Sequence, residues 1–286
     1  MKTAKFGTAG TGELFKKKGF KKSQEAPAFL ESLGLSAFEY QCGRGVRIGE
    51  RTAKALGEEA VKHHIALSLH APYYISLVNQ DREKVENNLR YFRESAQAAR
   101  EMGATRVIFH PGGMGKGKTR EEAFLVVKDA LINIMESLNK EGYQDILFCP
   151  ETMGKINQMG TLEETLELAN VAENMLPCID IGHLNARTFG EVNSYEAYTE
   201  LFDQIEKGIG LEKAKNVHIH FSKIEYSKGG EKKHLTFADE TFGPFPEPLI
   251  KLIKERGYTP TIICESDGTQ AEDAQYMAQL YQTDTN

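Results

Sequence analysis

Six apolar runs in the chain each end in a side chain able to hold a metal or move a proton: Leu67-Ser68-Leu69-His70, Val107-Ile108-Phe109-His110, Phe148-Cys149-Pro150-Glu151, Ile179-Asp180-Ile181-Gly182-His183, Val217-His218-Ile219-His220 and Ile262-Ile263-Cys264-Glu265. Mixed imidazole and carboxylate donors suit zinc, and also manganese or iron. A carboxylate shared between two cations holds them about 3.5–4 Å apart, the spacing used for in-line displacement at phosphorus. One histidine at the end of a strand is ordinarily a hydrogen-bonded rim residue. A buried carboxylate without a partner is costly, so Glu151, Asp180 and Glu265 call for compensating groups, and the same pattern on six successive runs points to a shared metal centre. His63 and His64 fall in a polar, helical stretch and read as surface histidines, while Tyr73 and Tyr74 suit packing and substrate contact equally.

Those runs belong to eight strand-like segments: Ala4–Ala9, Ala37–Cys42, Ile65–Ala71, Arg106–Pro111, Ile146–Glu151, Pro177–His183, Asn216–Ser222 and Thr261–Ser266. Helical stripes lie between them. Val85, Leu89, Phe92, Ala96 and Ala99 form one, and Phe124, Val127, Leu131, Ile134 and Leu138 another, both at helical spacing. Thr119 with Glu122, and Thr161 with Glu164, are capping boxes, and Gly103 and Gly142 fit helix ends. Repeated strand–helix alternation implies parallel strands with right-handed crossovers. The expectation is an α/β chain, a single-domain (β/α)₈ TIM barrel over 1–286 with its metal site at the C-terminal ends of the strands; an open doubly wound sheet is the alternative. Lys223–Thr236 is polar and charged and reads as a long loop on that functional face.

The hydrophobic fraction of 40% is enough for a sizeable core. No apolar run reaches membrane-spanning length and the N-terminus lacks a secretory h-region, so a cytoplasmic location with no membrane partner is expected. Cys42, Cys149, Cys178 and Cys264 sit in apolar runs without a C-x-x-C pair and read as reduced core residues. The net charge of -6 looks wrong for a nucleic-acid binder. Bound divalent cations would invert the local field at one end of the fold.

Taken together, His-x-x-Tyr at His70, Phe-His-Pro-Gly at His110, Glu-Thr at Glu151, Asp-x-x-His at Asp180 and His183, and the strand-end Glu265 resemble the endonuclease IV family of apurinic/apyrimidinic (AP) endonucleases, within the xylose isomerase-like TIM barrel superfamily. The resemblance runs from about the second strand to the eighth and implies zinc, two or three ions per chain. It implies that His70, His110 and Glu151 hold a first metal, that Glu151 bridges to a second held with Asp180, His220 and Glu265, and that His183 and His234 hold a third. His220 is chosen over His218 because it lies closer to the strand's end. The family carries an Asp two residues before the last His; here Lys232 occupies that position, with Glu231 beside it as the available substitute. The Phe6-Gly7-Thr8-Ala9-Gly10 strand also lacks the family's early His. The implied chemistry is hydrolysis of a phosphodiester at abasic sites in DNA, with Glu151 and Glu265 catalytic and Arg44 and Tyr73 placed where the family inserts side chains into DNA. No obligate protein partner is implied.

Three other readings compete. A single-metal sugar isomerase or epimerase on the same barrel needs only Glu151, Asp180, His220 and Glu265, and leaves His70, His110, His183 and His234 without a role. Gly112-Gly113-Met114-Gly115-Lys116-Gly117-Lys118-Thr119 formally matches a phosphate-cradling loop between strand and helix, but a nucleotide site leaves the strand-end donors unexplained. A non-catalytic nucleic-acid binding module that has lost a metal would follow from the Lys232 departure.

Overall fold

The computed structural model describes residues 3–283. Eight parallel strands make the central sheet: β1 (Lys5–Ala9), β2 (Ala37–Gln41), β3 (Ala66–His70), β4 (Arg106–Phe109), β5 (Leu147–Pro150), β6 (Cys178–Asp180), β7 (His218–Phe221) and, after an antiparallel hairpin of β8 (Lys223–Ser227) and β9 (Gly230–Leu235), β10 (Thr261–Cys264). Their order is β5-β4-β3-β2-β1-β10-β7-β6. The outermost strands meet through the Phe148–Met175 and Glu151–Cys178 bridges, where the Thr152 N–H donates to the Cys178 carbonyl at 3.0 Å. The sheet is a nearly closed parallel barrel, as the strand–helix alternation implies.

Strand side chains alternate between the two faces, and burial divides accordingly. Val107, Phe109, Phe148, Ile179, Ile219 and Phe221 pack outward into the main core with the helices, whereas Ile108, Cys149 and Cys178 form a small separate cluster with Leu176. That second cluster fills the barrel beneath the functional end. The same alternation carries Asp180 and His220 inward, and register pairs those two directly. His220 in turn lies beside Ile263 of β10.

The helices start and stop where their chemistry dictates. Thr119 accepts from the Glu122 N–H while Glu122 closes a reciprocal capping box on the Arg120–Lys140 helix; Thr161 and Glu164 do the same for Leu162–Leu168. Gly103 ends the Arg82–Met102 helix in the left-handed region. Val85 departs from the expected stripe: it lies in that helix's first turn and is 47% exposed, Leu89 is partly buried, and the stripe is fully buried from Phe92 on. Two larger corrections fall at the functional end. The sixth strand stops at Asp180, and His183 sits on a helix, Ile181–Arg187, that Asp180 itself caps. Lys223–Thr236, expected as a loop, contains the β8–β9 hairpin. No helix among the described residues is long and apolar enough to cross a membrane.

Candidate metal centre

Glu151 is fully buried and stands at the middle of the constellation. Its Oε2 lies 3.1 Å from His70 Nε2 and 3.2 Å from His110 Nε2; its Oε1 lies 3.3 Å from His183 Nδ1 and 3.4 Å from His220 Nδ1. Among the described residues the donor atoms here fall into four compact groups: His70, His110 and Glu151; Glu151, Asp180, His220 and Glu265; His183, Glu231 and His234; and, beneath them, Cys178, His218 and His220. Glu151 belongs to two of them. The donors fit divalent cations on a specific ground. Asp180 Oδ2 is buried and makes no hydrogen bond, its nearest cationic partner being the poorly aligned His183 Nδ1 at 3.3 Å, an arrangement that a better-placed positive charge would relieve.

Three of these imidazoles have Nδ1 engaged by a neutral oxygen, and in His183 that nitrogen also lies 3.3 Å from both Glu151 and Asp180 while Nε2 faces Glu231. His70 Nδ1 meets the Ala71 carbonyl at 2.8 Å, His183 Nδ1 meets the Thr152 carbonyl at 2.9 Å, and His234 Nδ1 meets Ser222 Oγ at 2.8 Å. Such partners set ring orientation and tautomer at metal sites. Asp180 uses Oδ1 to accept from the His183 backbone N–H at 2.6 Å. The start of the Ile181–Arg187 helix and the donor set are therefore built from one side chain.

The departure at Lys232 resolves into a β-bulge. In the hairpin, Lys233 faces Glu225 and Glu231 faces Tyr226, so Lys232 is an extra residue without a register partner. Residues 231 and 234 would point to opposite faces of a regular strand; one inserted residue brings them to the same face. Glu231 Oε2 then reaches to 3.4 Å from His183 Nε2, while Lys232 turns away to pair with Glu225. The packing is close: a Cβ on Gly154 would stand 2.6 Å from Glu231 Cβ and 3.0 Å from the His183 ring.

One buried group escaped the reading of strand ends. Glu39, midway along β2, is fully buried. Ser68 Oγ and His218 Nε2 donate to its Oε2 at 2.8 and 2.9 Å, and Gln41 Nε2 donates to its Oε1 at 3.0 Å, beside which His220 Nε2 also stands at 3.0 Å. A glutamate inside the apolar run Ala37–Gln41 was the available signal, because such a carboxylate needs partners. Between His218 and His220 the geometry is unambiguous: His218 Nδ1 faces Arg106 at 3.3 Å and its Nε2 is engaged by Glu39, so both nitrogens are occupied, whereas His220 turns Nδ1 to Glu151 and Glu265. Cys178 lies near both rings, and burial pushes its thiol well above the ordinary range. All four cysteines are buried and free.

Charge is strongly coupled here. Burial alone would raise Glu151, but His110 and His220 hold it well below the ordinary carboxylate range. Burial works against protonation of His70, and Glu151 outweighs it, raising that imidazole to about 9. His183 and His220 also stand well above 6.5, carried against burial mainly by Asp180 for the first and by Cys178 and Glu265 for the second. Burial raises Asp180, and Glu151 and Glu265 add to this against the pull of His183. His218 moves the other way: burial depresses it to about 4. His70, His183 and His220 are thus proton-holding sites that a cation can take over.

The centre opens into a cavity of about 410 Å³ lined by His70, His110, His183, Glu231, His234 and Glu265, with Gln41, Tyr73, Met153, Lys155 and Gln158 at its walls. Lys155 is the one cationic group among the lining residues other than the imidazoles. Arg44 Nε donates to the Tyr73 hydroxyl at 3.1 Å, and Tyr73 is 48% exposed, packed on Tyr74 with ring centroids 4.5 Å apart. The Gly112–Thr119 loop does not line this cavity. It is strapped to the 157–159 segment instead: Met114 N–H donates to the Asn157 carbonyl at 3.2 Å and Met159 N–H to the Gly112 carbonyl at 3.0 Å.

The profile of the xylose isomerase-like TIM barrel family matches residues 27–281. The chain belongs to that family. An uncharacterized protein of Methanocaldococcus jannaschii is 36% identical over 261 residues, 91% of each chain. A protein named probable endonuclease 4 in Shouchella clausii is 28% identical over 227 residues, 74% of this chain and 72% of that one. Among solved structures, a D-tagatose 3-epimerase-like protein superposes with a TM-score of 0.72 at 22% identity, covering 97% of this chain and 96% of its own, which shows the shared fold. Family membership and the clustered imidazoles and carboxylates point to a metal-dependent enzyme.

Proposed function

We propose that the protein is a multi-metal phosphodiesterase acting at abasic sites in DNA, in the manner of an endonuclease IV-type AP endonuclease. The observation that carries this reading is the meeting of three donor groups around Glu151. A single-metal enzyme has no use for His70 and His110 on Glu151 together with a further group of His183, Glu231 and His234 beside it. The resemblance to proteins named probable endonuclease 4 supports the same choice.

In this reading His70, His110 and Glu151 hold one cation, Glu151, Asp180, His220 and Glu265 a second, and His183, Glu231 and His234 a third, zinc being the best match to the donor types. Divalent cations bound there supply Lewis acidity and lower the pKa of the attacking water. The protein's own groups do the rest. Glu151, buried and anionic, fixes the spacing of the donor groups. Glu265 lines the cavity and is the carboxylate placed to orient water and accept its proton. Lys155 offers a positive charge to a substrate phosphate from the wall, and Arg44 with Tyr73 forms a hydrogen-bonded, exposed pair at the rim, suited to filling the gap in a base stack. A missing base lowers the cost of extruding the nucleotide.

The test is elemental analysis of the purified chain together with incubation of a duplex carrying one abasic site, with and without chelator. Two or three metals per chain and chelator-sensitive cleavage are expected. One specific observation favours a second reading: Glu151, Asp180, His220 and Glu265 alone compose a complete site, and Glu265 carries it to the cavity. One metal per chain with ketose epimerisation and no strand cleavage would establish that sugar epimerase instead. Binding of the duplex without cleavage would leave a non-catalytic module.

A further inference from the structure

We infer that Glu39 is the positioning residue for His220: it holds the imidazole by Nε2 from beneath, so that Nδ1 is the nitrogen presented to a metal. The inference rests on the reading of Glu151, Asp180, His220 and Glu265 as a metal site, and deepens it by one layer.

Four histidines of the centre can be compared nitrogen by nitrogen. His70, His183 and His234 each turn Nδ1 to a neutral carbonyl or hydroxyl oxygen. His220 is reversed, with Nδ1 toward Glu151 and Glu265 and Nε2 directed down the barrel. A buried N–H pointing into an apolar plug would be left unpaired, which is costly. The carboxylate within reach is Glu39 Oε1 at 3.0 Å, a contact of ion-pair distance whose angle falls outside that of an aligned hydrogen bond, with the Cys178 thiol also beside the ring. Glu39 is itself over-determined. Ser68, Gln41 and His218 all donate to it, and His218 is held in turn by Arg106 at 3.3 Å. Surrounded by donors, it can serve only as an acceptor, and its ionised form is the one that fits. The chain Arg106–His218–Glu39–His220 therefore runs from the barrel interior to the donor cluster through fully buried Glu39, His218 and His220. A carboxylate behind a ligating imidazole raises its basicity and fixes its orientation. His70 and His234, whose Nδ1 atoms meet neutral oxygens, lack that reinforcement, so the middle group is expected to hold its cation more tightly than the groups those two belong to.

The experiment uses the full chain with wild-type sequence, Glu39→Gln and Ser68→Ala. Each is stripped of metal, titrated with Zn²⁺ against a chromophoric chelator, and separately loaded with Co²⁺ for its visible spectrum. Glu39→Gln keeps volume but sets an amide N–H₂ among donors. It is expected to weaken one class of site about 10- to 100-fold and to shift the Co²⁺ bands. Ser68→Ala removes a hydrogen bond from the same carboxylate without touching His220. It is expected to lower thermal stability while staying within about threefold of wild-type affinity, because the Glu39–His220 contact survives. Wild-type affinity and spectrum in Glu39→Gln would overturn the inference, as would an equal loss in Ser68→Ala, which would reduce Glu39 to packing. Failure of the wild-type chain to bind either ion would instead remove the metal reading on which the inference stands. If Glu39→Gln does not fold, Glu39→Asp, which keeps the charge but withdraws it by one methylene, is judged by the same criteria.

Discussion

At the scale of single residues, the centre is organised by one side chain serving several neighbours. Glu151 contacts His70, His110, His183 and His220 within 3.4 Å, so its loss is felt by more than one donor group. Outer partners of metal ligands alone are worth about 10- to 100-fold, and Glu151→Gln is expected to exceed that in cleavage rate and to lower the metal content. Full metal occupancy with unchanged turnover in that variant would remove the shared role. Lys155 is a different kind of residue, a wall contact outside the donor groups. Lys155→Ala is expected to raise KM about tenfold, equivalent to about 1.4 kcal/mol, while leaving kcat and metal content in place. A fall in kcat with KM constant would assign it to the reacting centre instead. What could be read from sequence at this scale were the groups that end apolar runs, because a run's end marks a strand's end. Glu39 sits in mid-run, and only its contacts with Ser68, Gln41 and His218 reveal how its charge is accommodated.

At the scale of elements, strand and helix periodicity located the barrel, and the structure differs where two elements share residues. Asp180 ends β6 and caps the following helix, so no strand-length pattern places His183. The hairpin was hidden by its charge: Glu231, Lys232 and Lys233 have a loop's composition, and their strand pairing comes from β8 across from them. The bulge at Lys232 was equally invisible, since it depends on which residue lacks a partner. It yields a sharp expectation. Inserting one residue between Glu225 and Tyr226 should give Lys232 a register partner, restore regular pairing and send Glu231 and His234 to opposite faces, removing one metal equivalent while the groups built on Glu151 keep theirs. Lys232→Ala should be nearly silent, because the side chain is exposed and points to Glu225, and exposed pairs are worth about 0–1 kcal/mol. Equal metal loss in both variants, measured by elemental analysis, would show that the side chain matters and the bulge does not.

At the scale of the whole molecule, the donor groups tie stability to pH in opposite ways with and without metal. His70 has a pKa of about 9 in the fold against an ordinary 6.5. A group raised in this way gives its full stabilisation below pH 6.5 and loses it as the pH rises through 9, an effect of at most about 3 kcal/mol. His183 and His220 are raised in the same direction, so they add to the alkaline loss. Glu151 and Glu39, both depressed, act oppositely: their contributions are present above the ordinary carboxylate range and are lost in acid. The metal-free chain should therefore be most stable near neutrality and weaken between about pH 7 and 9 as the imidazoles lose the protons that balance the carboxylates. Cations that displace those protons take over the balancing charge, and their binding strengthens over the same interval because fewer protons compete. Thermal unfolding with bound metal and with chelator, from neutral to alkaline pH, is expected to show a gap that widens with pH, at roughly 2–4 °C per kcal/mol for a domain of this size. Parallel curves across that interval would mean that the imidazoles around Glu151 do not exchange protons for metal, and the centre would then have to be reinterpreted as a buried ion-pair network.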